Sequence, residues 1–263
     1  MALITVGGSG NDTVSINASL ATIWSESGST SYTVTVAADD TIDALDGSDF
    51  ISVYNVQNIF VTGGSGNDSI LNGTDGSDIT IDGGVGDDSI TNWGDNARSI
   101  LLGNDGNDLI QNFASSVSID GGADNDSIDN NAGNYTSINA GSGNDTITNA
   151  NATRVTIYGG AGDDSILNQN SATYTLIDGG AGNDSINNWG DNTNSTLSGG
   201  DGSDLIQNYA ASVSIDGGSG NDSILNTAAN VTISGGTGID TINGDESVAE
   251  LIVHSADPDI IYG

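Results

Sequence analysis

The sequence predicts an all-β fold, a right-handed parallel β-helix of about fourteen short turns with a single metal-loop edge. Three observations carry this. The octapeptide Gly159-Gly160-Ala161-Gly162-Asp163-Asp164-Ser165-Ile166 recurs in copies beginning at Gly63, Gly83, Gly121, Gly179, Gly199, Gly217 and Gly235, with looser copies at Gly103 and Ala140, in steps of 18 to 20 residues. Between copies, β-branched residues or Leu return at two fixed places. Nine Asn residues, from Asn72 to Asn226, return at a third.

The loop comes first because it sets the period. Glycines at its first, second and fourth places suit a backbone that enters φ > 0 and brings carbonyls close together. Its sixth place is always a carboxylate in these copies. Carbonyl oxygens and an ionised Asp are the hard donors that Ca²⁺ prefers, and one such loop holds too few of them. Two stacked loops hold enough.

The strands follow. Val14, Ile51, Ile70, Ile90, Ile110, Ile128, Ile147, Ile166, Ile186, Ile206, Ile224 and Ile242 stand two residues after the loop Asp. Ile23, Ile42, Val61, Ile81, Leu101, Ile119, Ile138, Ile157, Ile177, Leu197, Ile215, Ile233 and Ile252 stand two before the next loop. Small polar neighbours in period two mark short strands with one buried face, so each turn is loop, strand, turn, strand. The Asn column lies two residues beyond the first Ile, hence on the same inner face, and predicts a side-chain amide ladder along the stack.

The ends differ. Turn starts are expected near Gly7, Ser25 and Ala44 before the regular series and near His254 after it. Residues 1–62 therefore hold degenerate loops, 63–247 the regular solenoid and 248–263 a degenerate terminal turn containing Pro258. Trp93 and Trp189, Gly63 and Gly159, and Phe113 and Tyr209 are each 96 apart, which marks a duplicated block of about five turns. Trp93 beside Phe113, and Trp189 beside Tyr209, form aromatic pairs on neighbouring turns, candidates for sugar or protein binding.

The glycine and aspartate pattern resembles the calcium-binding repeats of the repeats-in-toxin (RTX) family, whose motif is G-G-x-G-x-D followed by an apolar residue. The resemblance covers most of the chain. It implies a parallel β-roll in which several calcium ions are stacked between adjacent loops, held by Asp side chains and backbone carbonyls. By position the implied ligands are Asp68, Asp88, Asp108, Asp126, Asp145, Asp164, Asp184, Asp204, Asp222 and Asp240, with Asp49 pairing Asp68, and Asp12 and Asp259 at the ends. Family loops recur every nine residues on both edges of the roll. Here the spacing is about twice that, which leaves calcium on one edge.

Composition narrows the function. With 36 acidic against 2 basic residues in 263, the net charge is −34. This opposes compaction and excludes nucleic acid or an anionic membrane surface as partner. The chain has no Cys, and no stretch is apolar enough to insert in a membrane. No signal peptide is visible at Met1–Val6, so the expectation is either export of a bacterial type by another route or a fragment of a longer chain. His254 is the only His and has no nucleophile partner, so no enzyme is expected. Arg98 and Arg154 are the only cations that could meet an acidic sugar.

The expected function is an extracellular or cell-surface calcium-dependent structural solenoid: an adhesin stalk, surface-layer or matrix element, or filament subunit that associates end to end. The alternative is a ligand-binding surface for cell-surface or carbohydrate ligands, or for ice. A single loop per turn of about nineteen residues also resembles the ice-binding region of a large bacterial ice adhesin, whose third and fifth loop places form outward Thr and Asn columns. Here the fifth place is often Asn, but the third mixes Ser65, Val85, Asp105, Ala123, Ala161 and Asp201.

Overall fold

The computed structural model describes residues 3–5, 10–17, 20–25, 31–35, 37–73, 77–93, 98–244, 250–253 and 259–262, without the side chains of 17, 20–25, 31–35 and 250. Two compact units, Met1–Ile128 and Asp129–Gly263, divide the chain. Each is a parallel β-solenoid with two sheets, and among the described residues there is no helix.

In the first unit one sheet contains Leu3–Thr5, Thr41–Asp43, Phe60–Ser65, Thr80–Val85, Ile100–Asp105 and Ser118–Ala123, each parallel to the next. The facing sheet runs Asp12–Asn17, Phe50–Tyr54, Ser69–Asn72, Ser89–Asn92 and Leu109–Asn112. The second unit repeats this with strands from Ser137–Ser142 to Glu250–Val253 in one sheet and from Thr146–Ala150 to Ile260–Tyr262 in the other.

Register follows the apolar period. Ile81 pairs with Leu101 and Leu101 with Ile119, while Ile70 pairs with Ile90 and Ile90 with Ile110. These six side chains are at most 1% exposed. A one-residue slip would turn each column outward, so burial itself fixes the pairing. A further inner column, Ile79, Ser99 and Val117 in the first unit and Thr136, Val155, Thr175, Ser195, Val213 and Val231 in the second, is also buried. Its mixture of apolar and hydroxyl residues hides it from a search for apolar periodicity. The hydroxyls face the turn: Thr136 Oγ1 donates to the Gly133 carbonyl at 2.8 Å and Ser195 Oγ to that of Asn192 at 3.0 Å.

The Asn column forms the predicted ladder. Nδ2 of Asn72 donates to Oδ1 of Asn92 at 2.7 Å and Asn92 to Asn112 at 2.9 Å. Asn130, Asn149, Asn168, Asn188, Asn208 and Asn226 continue the pattern in the second unit at 2.7–2.8 Å, all fully buried. The same amides donate to turn carbonyls of Gly133, Ala172, Ala210 and Ala228, so the ladder pairs backbone that would otherwise be buried without a partner.

The N-terminal region departs from expectation. No turn starts at Ser25. Leu20–Ser25 instead pairs antiparallel with Asp12–Asn17, and Ser31–Thr35 antiparallel with Leu20–Ser25, extending the second sheet beyond its parallel part. Ile23 thus stands opposite Val14 within that sheet and leaves the column of residues preceding a loop. The reason is the connection: two residues separate Asn17 from Leu20, enough for a hairpin and far too few for a parallel crossover. There are about eleven turns rather than fourteen. The expected starts at Gly7 and His254, and Pro258, lie outside the described residues.

Candidate metal centre

Each loop leaves one sheet and enters the other with its sixth residue turned inward. Asp49, Asp68, Asp88, Asp108, Asp126, Asp145, Asp164, Asp184, Asp204, Asp222 and Asp240 are at most 3% exposed. Their Oδ1 atoms hold neighbouring turns together. The Asp68 N–H donates to Asp88 Oδ1 at 2.7 Å and Asp88 to Asp108 at 2.8 Å. In the second unit the N–H groups of Asp145, Asp164, Asp184 and Asp204 donate onward to Asp164, Asp184, Asp204 and Asp222 at 2.7–2.9 Å.

The second oxygen is different. Oδ2 of Asp49, Asp68, Asp88, Asp108, Asp164, Asp184, Asp204 and Asp222 is buried with no hydrogen-bond partner. A buried carboxylate oxygen left so costs stability unless something positive meets it. The loop provides space for that. A β-carbon on Gly63 would lie against Asp68 Oδ2 and 2.6 Å from the carbonyl oxygen of Gly83 in the next turn. On Gly83 it would meet Asp88 Oδ2 and, at 2.9 Å, the Gly103 carbonyl; on Gly179, Asp184 Oδ2 and, at 2.5 Å, the Gly199 carbonyl. Thus a carboxylate oxygen from one turn and a carbonyl oxygen from the next converge beside a bare glycine Cα.

Among the described residues no three Asp, Glu, His or Cys side chains meet at one point. A cation here would be held by one carboxylate per loop with carbonyls completing the shell, an all-oxygen set that suits Ca²⁺. The second- and fourth-place glycines make the close stacking feasible. Gly64 and Gly66 have φ of 108° and 126° and abut the carbonyls of Leu45 and Gly47 in the preceding turn.

Electrostatics agree. Burial, reinforced by neighbouring carboxylates and opposed by the backbone N–H that each accepts, pushes Asp88 and Asp164 up to about 7. Burial likewise raises Asp49, Asp108, Asp204 and Asp222 to about 6, and lifts Asp68 and Asp184 above the ordinary carboxylate value. A divalent cation between turns would supply the positive charge that these groups lack.

Each terminal candidate extends the row of aspartates in its own unit. Asp12, whose next loop in sequence lacks an Asp, is brought onto Asp49 because the antiparallel strands loop out between them: its N–H donates to Asp49 Oδ1 at 2.5 Å. At the other end the Asp240 N–H reaches Asp259 Oδ1 at 3.4 Å.

On the opposite edge, Trp93 stacks flat on Phe113 with centroids 4.1 Å apart and an interplanar angle of 4°, while Trp189 meets Tyr209 edge-on at 6.0 Å. A third aromatic group lies outside these two sequence-predicted pairs. Arg154 is 5.5 Å from the Tyr135 ring centre and 5.6 Å from that of Tyr174. Its signal is present in the sequence, since these tyrosines precede and follow Arg154 by one turn. Arg98 pairs with Asp78 through two 2.7 Å contacts, which holds that carboxyl below its usual range. Both arginines are therefore engaged within the protein.

Comparison with known proteins agrees with this geometry. The family model for the RTX calcium-binding nonapeptide repeat (4 copies) matches residues 36–53, 114–136, 137–148, 149–168, 189–207, 212–230 and 232–247. No curated protein matches the chain. Among solved structures the chain is similar to a hyperactive, Ca²⁺-dependent, β-helical antifreeze protein from an Antarctic bacterium, with a TM-score of 0.72 and 22% identity over 99% of this chain and 82% of that one. The parallel solenoid, the buried loop aspartates and the repeat match lead to one conclusion: the chain carries RTX calcium-binding nonapeptide repeats on β-solenoid turns of about 19 residues.

Proposed function

We propose that this protein is an extracellular structural solenoid that folds and stiffens when calcium fills the Asp column, serving as a stalk, surface-layer or matrix element. One observation carries the reading: the row of buried carboxylate oxygens without partners. Such a column repels itself when empty and becomes cohesive when cations lie between its turns. Loops of this chemistry bind calcium weakly enough to remain empty in cytosol and to fill outside the cell. The ligands proposed are the eleven buried loop aspartates, with Asp12 and Asp259 at the ends.

Ice binding is the second reading, favoured by the solved neighbour and by outward columns in strand register. Ser65 pairs with Val85 and Val85 with Asp105; Ala161 pairs with Ala181 and Ala181 with Asp201. It ranks below the structural reading because this column mixes apolar, acidic and hydroxyl groups. In the fifth-place column the acceptors are also engaged: Oδ1 of Asn67, Asn144 and Asn183 accepts the backbone N–H of Asp87, Asp163 and Ser203 at 2.9–3.1 Å.

Calcium titration of metal-free protein at neutral pH, followed by far-ultraviolet circular dichroism, tests the leading reading. A cooperative gain of β signal is expected, and a full β spectrum without calcium refutes it. Ice grown in the loaded protein should remain unshaped; faceted crystals with a depressed freezing point would establish the second reading.

A further inference from the structure

Among the described residues, two turns carry alanine at the place where the site is built around a glycine. In the loops beginning at Gly63, Gly83, Gly103, Gly159, Gly179, Gly199 and Gly217, a β-carbon at the first place would collide with the loop's own Asp Oδ2 and with the first carbonyl of the next turn. The space beside that Cα is the place where the oxygens of two turns converge. At the same loop position Ala44 and Ala140 carry a real methyl group, and both residues are fully buried. Neither is held at positive φ, so each sits in ordinary backbone. The Ala140 loop keeps the rest of the motif, whereas the Ala44 loop also has Leu45, at φ 76°, in place of the second glycine; both end in buried carboxylates, Asp145 and Asp49.

We propose that the calcium column is interrupted at these two turns: the Ala44 methyl excludes the ion between its loop and that of Gly63, and the Ala140 methyl the ion between its loop and that of Gly159. A methyl cannot donate to an ion and occupies volume that the ion's oxygen shell requires. These turns are closed by packing and by the Asp Oδ1 contacts, as from Asp49 N–H to Asp68 Oδ1 at 2.7 Å and from Asp145 N–H to Asp164 Oδ1 at 2.8 Å. The chain then binds fewer ions than its count of loop aspartates implies, and its calcium is grouped in separate runs.

This inference rests on the reading of the column as a calcium site. The test is calcium stoichiometry, measured by equilibrium dialysis against radioactive calcium at saturation and by native mass spectrometry. The unmodified chain is compared with Ala140→Gly, Ala44→Gly and Gly179→Ala. Each Ala→Gly variant is expected to bind one ion more than the unmodified chain, and Gly179→Ala one fewer. An unchanged ion count in both Ala→Gly variants overturns the proposal while leaving calcium binding intact, whereas no uptake by the unmodified chain overturns the calcium reading itself. Circular dichroism in saturating calcium shows whether Gly179→Ala folds. If it does not, the two Ala→Gly variants decide alone, since glycine fits the backbone at both positions.

Discussion

Acid should replace calcium in part. Asp88 and Asp164 have folded values near 7 and Asp49, Asp108, Asp204 and Asp222 near 6, against 3.8 for an unperturbed carboxylate. A folded value above the unfolded one means that the folded state binds more protons between the two. Stability of the metal-free chain is therefore greatest below about pH 4 and is lost as pH rises through 6 to 7. A tenfold change in a carboxylate's proton affinity on folding corresponds to about 1.4 kcal/mol. For six independent groups a fall from pH 8 to 5 would add about 11 kcal/mol as an upper limit. The carboxylates interact along the column, so protonating one makes its neighbours more acidic, and about 5 kcal/mol is the expected net gain. That is comparable to the whole stability of a small domain. Urea denaturation of metal-stripped protein at pH 8, 7, 6 and 5, read by circular dichroism, measures it. Calcium affinity should change in the opposite direction, weakening as pH falls below 7, because each ligand must lose its proton. A metal-free stability that is flat or declines from pH 7 to 5 would refute the reasoning.

Two further substitutions probe the stack itself. Asn168→Ala removes an acceptor for Asn149 and a donor to Asn188 and to the Ala172 carbonyl; it should cost about 3 kcal/mol in calcium-loaded protein, measured from urea midpoints. Gly180→Ala places a β-carbon at φ 110° against the Gly160 carbonyl and should cost about 3 kcal/mol or more. Gly190→Ala, at φ 95° but with its nearest atom 3.6 Å away, should cost only about 1 kcal/mol. Equal losses in thermal melts of these two would show that close stacking does not govern the loop.

Sequence alone determined the period, the two principal buried columns, the Asn ladder and the row of aspartates. All four are written as a repeated residue type at a fixed step, and in a parallel stack a fixed step becomes a fixed neighbour. Asn168 touches Asn188 because the chain returns to the same place every turn. What breaks the step could not be read this way. Leu20–Ser25 and Ser31–Thr35 form antiparallel strands, and that excursion puts Asp12 against Asp49 across 37 residues. The column of Ile79, Ser99, Thr136 and Val231 carries no such signature, because inward direction, rather than residue type, unites it. The metal centre divides in the same way. The carboxylate in each loop was legible. Only the tertiary structure decided that in loops such as those of Asp68, Asp88 and Asp184 one carboxylate oxygen binds the neighbouring turn while the other is left buried and unpartnered beside a glycine, because that division depends on how closely two turns approach.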